Sequence, residues 1–275
     1  MVVATIVVGL ASGVLSGAFG IGGGLLTTPA ITLLLGYPAL IAVGTPLPVI
    51  VPGALTGAIS YYRRDLADVR AGLVMALAGT VGSVAGAFVT RLVGGTAVLL
   101  VTAVVIAGAS IDMLLQHRAT AGRAVPGEAE SDESLATIAV PAPAPVPVPV
   151  PARTLAFVAI GAVAGLYSGF LGLGGGFVVV PALTRWCGLS VKRAIGTSLV
   201  TVAALAIPGT LTHWYLGHVD WTLAVLLAIG VVPGAVIGAR LTGRASDRSV
   251  RLAFAILLAV VGVWLAGSQL WAMRG

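Results

Sequence analysis

The chain has 275 residues, 58% of them hydrophobic and 9% charged, with a mean hydropathy of +1.09. Soluble domains run at about 25% charged, so this composition excludes one and specifies an integral membrane protein. The net charge of +6 is scattered between apolar segments, which argues for membrane topology over nucleic-acid binding, and the single cysteine, Cys187, leaves no internal disulfide or multi-thiolate metal site.

In chain order, the first apolar run lacks the basic region and cleavage site of a signal peptide, so it is expected to be retained. As one helix, residues 1–35 would reach about 52 Å at about 1.5 Å per residue. A bilayer core is only about 30 Å thick. Inside that run GAFGIGGGLLTTPAI, residues 17–31, carries five glycines within eight positions. Each glycine costs a helix about 1 kcal/mol relative to alanine. The cluster therefore reads as a break that folds the run into a hairpin. The arm 24–35 is short, about 18 Å if helical, which favours a re-entrant hairpin over two crossings. Thr28 before Pro29 fits a helix N-cap followed by a first-turn proline, and a kink fits as well. Apolar spans follow at 72–90, 96–115, 197–216, 222–239 and 250–271. Between them residues 116–153 begin polar and end in alternating prolines from Pro141 to Pro151, the composition of a disordered tether with a polyproline II stretch.

The chain reads as two copies of one unit. Residues 9–31 align with 161–183 at an offset of 152, and ten of the 23 positions are identical, among them Ser16/Ser168, Gly22/Gly174, Gly23/Gly175, Gly24/Gly176 and Pro29/Pro181. The offset persists to Thr45/Thr197 and then slips, with Pro52-Gly53 echoing Pro208-Gly209 and Gly82 echoing Gly230. The expected division is 1–115 for the first transmembrane repeat, 116–153 for a cytoplasmic linker and 154–275 for the second repeat.

Basic residues decide how the copies face, because they accumulate in cytoplasmic loops. With a hairpin plus three spans per copy and the second copy inverted, 13 of the 15 basic residues fall inside, leaving Arg91 and Arg274 outside. Four simple crossings per copy in parallel would place seven inside and eight outside. The expected fold is thus an all-α polytopic membrane protein of two inverted repeats, with both termini outside the cytoplasm.

Inverted repeats with broken helices are the architecture of secondary transporters. A helix restarting after a break offers unpaired N–H groups and about half a positive charge, a natural anion site. The candidate substrate-binding residues are Gly22, Gly23, Gly24, Gly174, Gly175 and Gly176, supported by the hydroxyls of Ser16, Ser168, Thr45, Thr197 and Ser198. Gly9, Gly13 and Gly17, with Gly161, Gly165 and Gly169, are spaced for close helix packing. Tyr61, Tyr62, Trp214 and Tyr215 read as interfacial anchors and His213 as a structural residue near the outer face. No carboxylate lies at the centre of a span, and no nucleophile–base pair or metal cluster is visible. No catalytic residue, metal or cofactor is therefore expected. The expected partners are a small anion and the lipid bilayer, with a homodimer as an option and no nucleic acid.

GIGGGLLTTPAI and GLGGGFVVVPAL, each followed by A-x-G-T at Ala42–Thr45 and Ala194–Thr197, resemble the sulfite exporter TauE/SafE family, also called toluene sulfonate uptake permeases. The likeness covers both halves and omits the linker. It implies a bacterial or archaeal inner-membrane carrier for sulfite or organosulfonates. Pro46 stands where the second copy has Ser198, so the two hydroxyl sets are unequal. The alternatives are a permease for another anion or a metal ion, and, further off, a membrane-embedded enzyme.

Overall fold

A computed structural model describes residues 2–93, 101, 104–112 and 150–272. Among these, every regular element is a helix: α1 Val2–Phe19, α2 Gly24–Leu33, α3 Ala39–Gly44, α4 Pro46–Tyr62, α5 Val69–Val93, α6 at 104–112, α7 Val150–Leu171, α8 Gly176–Trp186, α9 Val191–Tyr215, α10 Trp221–Arg244 and α11 Asp247–Ala272. Among the described residues six helical stretches are long and apolar enough to cross a bilayer: α1, α3 with α4, α5, α7, α9 and α10. The protein is a multi-pass helical membrane protein.

Local chemistry sets the boundaries. The side chains of Ser190 and Asp220 cap α9 and α10, accepting the N–H of Arg193 (3.4 Å) and Leu223 (2.9 Å), and Asp68 does the same for Ala71 at the start of α5 (2.9 Å). Pro46 takes the first turn of α4, where its missing N–H costs nothing. The expected N-cap at Thr28 is not formed. Helix α2 starts five residues earlier, behind Gly23, so Thr28 and Pro29 lie inside it, as Pro181 lies inside α8. Helix α7 starts at Val150, within the stretch read as linker, and Pro151 sits in its first turn, where proline is tolerated. The rest of the linker, with half of the 96–115 span, lies outside the described residues.

Contacts repeat at the offset of 152, and reciprocally. A Cβ on Gly9, Gly13 or Gly17 would overlap the carbonyls of Leu227, Val231 and Ala235 on α10. One on Gly161, Gly165 or Gly169 would overlap those of Met75, Gly79 and Ser83 on α5. Each glycine stripe thus brings two helices together backbone to backbone, running in the same direction. The slip expected after Thr45 does not occur in space. Gly82 and Gly234 occupy equivalent places against α7 and α1, and Gly57 meets Leu199 as Gly209 meets Leu47. Only the residue identities drift, because a packed position tolerates several small side chains. The last pair also shows that the equivalent helices α4 and α9 run antiparallel.

Basic loops gather at one end of the helix array. The Asp68 N–H donates to Thr197 Oγ1 (3.0 Å), Arg64 Nη1 to the Ala239 carbonyl (3.1 Å) and the Val191 N–H to Asp247 Oδ2 (3.2 Å). These bonds bring together the stretches that carry Arg63, Arg64 and Arg70, Lys192 and Arg193, and Arg240, Arg244 and Arg248. At the opposite end the Asp220 N–H donates to Thr45 Oγ1 (3.1 Å), joining loops that carry no basic residue. Helix α1 runs parallel to α10, and α2 leads back to α3, whose Gly44 packs on His218. The first hairpin therefore starts and ends at this uncharged end.

Candidate functional site

The two glycine breaks touch each other. A Cβ on Gly24 would stand 2.6 Å from Leu173 Cα and 2.7 Å from the Gly172 carbonyl oxygen, and one on Gly176 would stand 2.8 Å from Ile21 Cα. Both breaks rest on Ile50 and Val202, near mid-length of the span formed by α3 with α4 and of α9. Gly23 and Gly175, at φ of 84° and 74°, hold the left-handed turn that ends one helix and starts the next, a conformation that side chains disfavour. The first acceptor of α2 is the Gly23 carbonyl, bonded by the N–H of Leu26 and Thr27, and that of α8 is the Gly175 carbonyl, bonded by Val178 and Val179. The N–H groups of Gly24, Leu25, Gly176 and Phe177 therefore precede the helical bonding pattern.

Beside these helix starts lie hydroxyls with nothing to bond. Ser12, Ser16 and Ser168 are fully buried and Thr28 nearly so, and the side-chain oxygen of each lacks a hydrogen-bond partner. A Cβ on Gly23 would lie 3.6 Å from Ser16 Cβ and 3.5 Å from the Ser12 carbonyl oxygen, so Gly23 faces both serines. In the second break Ala164 faces Gly175 and Val180 replaces Thr28, leaving Ser168 alone. Ser12 and Thr28 were not among the sequence candidates. The available signal was spacing, since Ser12 lies one helical turn before Ser16 on the same face.

The other candidates are placed differently. Ser198 Oγ donates to the Gly20 carbonyl (2.9 Å) and so ties α9 to the first break. Pro46 offers nothing comparable in the first half. Thr45 and Thr197 accept the backbone N–H groups of Asp220 and Asp68, holding loops at opposite ends of the array and not at the breaks.

Tyr61 is not the interfacial anchor expected; it is buried, and its hydroxyl donates to the Gly17 carbonyl (3.0 Å). Its equivalent is His213, whose Nε2 lies 2.8 Å from the Gly169 carbonyl. Likewise Thr242 Oγ1 donates to Ala18 O (3.0 Å) as Thr90 Oγ1 donates to Phe170 O (2.7 Å). These bonds pin the helix end just before each break. Tyr62, Trp214 and Tyr215 are exposed. Between α6 and α8 a cavity of about 700 Å³ reaches from the Asp112–Arg185 ion pair to Tyr167 and Phe177, the neighbours of Ser168 and Gly176. Among the described residues no group of three or more His, Cys, Asp or Glu is placed to hold a metal ion.

Comparison with known proteins places this architecture. The chain is 27% identical over 272 residues to the probable membrane transporter protein YunE of Bacillus subtilis, covering 96% of this chain and 95% of YunE. A probable membrane transporter protein of Xylella fastidiosa strain 9a5c is 28% identical over 261 residues, 94% of this chain and 90% of its own length. The archaeal protein MJ0441 of Methanocaldococcus jannaschii, also described as a probable membrane transporter, is 22% identical over 275 residues. No solved structure matches the chain. The family model described as sulfite exporter TauE/SafE matches residues 5–265, taking in both breaks. The chain belongs to the sulfite exporter TauE/SafE family, and it is a membrane transporter, not an enzyme.

Proposed function

We propose that this transporter carries a small sulfur oxyanion, sulfite or an organosulfonate, across the plasma membrane of a bacterium or archaeon by alternating access, with the anion held at the paired breaks. The observation that carries this reading is the set of buried, partnerless hydroxyls at two abutting helix starts. Leaving such a hydroxyl unsatisfied costs about 1–3 kcal/mol. An oxyanion accepts hydrogen bonds from hydroxyls and free N–H groups alike, and the partial positive charge of each helix start favours it. The first break, with Ser12, Ser16 and Thr28, is the stronger half of the site. The buried glycines also make a conformational change necessary for access, as alternating access requires.

The reciprocal contacts and the antiparallel α4 and α9 support two halves inserted in opposite senses. By the positive-inside rule the basic end and the linker face the cytoplasm and the termini lie outside. The test is flux in proteoliposomes loaded in turn with sulfite, sulfate, thiosulfate and an organosulfonate. Saturable transport of sulfite or the sulfonate, with sulfate at least tenfold slower, is the expected result. Transport of an unrelated solute with none of these moving would overturn the substrate assignment.

A further inference from the structure

The cavity between α6 and α8 joins the basic end of the helix array to the second break. At its mouth Arg185, in the last turn of α8, pairs with Asp112 of α6. Arg153, near enough to act on the Cys187 thiol, adds a second cation there. A guanidinium has five N–H donors and the contact with Asp112 engages Nη1, so donors remain for another anion. In the first half the uncharged Leu33 stands in the place of Arg185. From the mouth the cavity follows α8 inward, and the eight residues from Arg185 to Phe177 span about 12 Å of helix. Small residues keep the space open: Gly108 and Ala109 on α6 and Ala182 on α8 line it, and a Cβ on Gly108 would meet nothing within 4 Å. The volume of about 700 Å³ has room for about twenty waters at about 30 Å³ each. Tyr167 and Phe177 close the inner end, their ring centroids 6.4 Å apart and their planes at 60°. One residue back in each helix lie Ser168, whose buried hydroxyl lacks a partner, on one side of the break and Gly176 on the other.

We infer that this cavity is the aqueous passage by which the anion travels between the basic side of the membrane and the second break, with Arg185 as the residue that receives it. The inference rests on the anion reading of the breaks. The arrangement suits transit. The cations lie at the mouth, where they raise the local concentration of anions, and the described lining further in is apolar or aromatic, so an anion is drawn to the entrance without being held on the way. The Tyr167–Phe177 pair is the inner barrier. It keeps ions and water from the break until the rings part, and the Ser168 hydroxyl then offers the arriving anion a bond.

Water access tests the passage in the full chain carrying Cys187→Ser. Ala182→Cys, buried in the cavity wall, should react with a charged, membrane-impermeant methanethiosulfonate applied from the basic side. Leu77→Cys, exposed within the bilayer span of α5, should not. An unreactive Ala182→Cys would make the cavity a lipid groove and overturn the proposal. Sulfite flux in proteoliposomes tests its use. Gly108→Trp fills open space, so it should melt as the wild type does while abolishing flux, and flux at the wild-type rate would exclude this route. Arg185→Gln should cut flux at low sulfite about tenfold and flatten its dependence on ionic strength, while Arg185→Lys keeps both and saturating sulfite restores the maximal rate. Equal losses at low and saturating sulfite, with the salt dependence unchanged, would make Arg185 structural and remove it from the passage. If Ala182→Cys reacts while neither sulfite nor methanesulfonate moves or slows the reaction, the passage stands and the anion reading fails.

Discussion

Ser16 and Ser168 occupy equivalent positions, both fully buried and both without a partner, yet their surroundings differ. Ser16 shares its break with Ser12 and Thr28, whereas Ser168 has Ala164 and Val180 in those places. Replacing an unsatisfied buried hydroxyl by hydrogen removes a desolvation cost, so Ser16→Ala should leave thermal stability unchanged or raise it by up to about 1 kcal/mol. Each bond that a hydroxyl gives to a charged ligand is worth about 1.5–3 kcal/mol, so the same change should weaken sulfite binding about tenfold or more. Ser168→Ala should cost less if the anion sits nearer the first break. Calorimetric titration with sulfite beside a melting curve separates the effects, and a Ser16→Ala protein that melts lower with unchanged affinity would make the serine structural. The duplicated motif made Ser16 and Ser168 legible from sequence. Thr45 and Thr197 were equally visible as a pair, but their partners Asp220 and Asp68 lie 175 and 129 residues away, and no local pattern reports such a bond.

The glycines divide by what a side chain would meet. On α7, a Cβ at Gly165 would stand 2.6 Å from Gly79 Cα and overlap its carbonyl oxygen, and backbone cannot move aside as a flexible side chain does. On α6, a Cβ at Gly108 would have nothing within 4 Å. Overpacking costs about 1–3 kcal/mol and sometimes more. Alanine in an open helical position gains up to about 1 kcal/mol over glycine. Gly165→Ala should therefore lower the unfolding free energy by about 2 kcal/mol or more, and Gly108→Ala should be neutral or stabilising. Thermal unfolding of the two variants in the same detergent checks the contrast, and equal melting temperatures would refute backbone-to-backbone packing. The four-residue spacing of Gly161, Gly165 and Gly169 is enough to mark a packing stripe from sequence. Which helix it meets was not legible, because that depends on how the two halves interlock. The slip read after Thr45 arose from matching letters, such as Gly82 with Gly230, where the shared feature is position: Gly82 corresponds to Gly234.

For the whole molecule, charge bias in the sequence and bonds in the structure converge on one basic end, and the side of the membrane it faces is open to a direct test. Cys187 decides that question, because it is the only cysteine and follows α8 at the basic end, close enough to Arg153 to feel its charge. Burial raises the pKa of its thiol, and the Arg153 cation offsets this only in part. The thiolate is the reactive form, so labelling by a maleimide should be slow near pH 7 and quicken about tenfold per pH unit below the thiol pKa. A membrane-impermeant maleimide should therefore modify Cys187 in inside-out vesicles, faster at pH 8.5 than at pH 7, and leave it unmodified in intact cells. Protection in inside-out vesicles with modification in cells would reverse the orientation and, with it, the positive-inside assignment of all the basic loops. The same experiment bears on transport, because Cys187 ends the helix that begins at the second break. If α8 moves as access alternates, saturating sulfite should change the labelling rate of a residue more than ten positions from the anion.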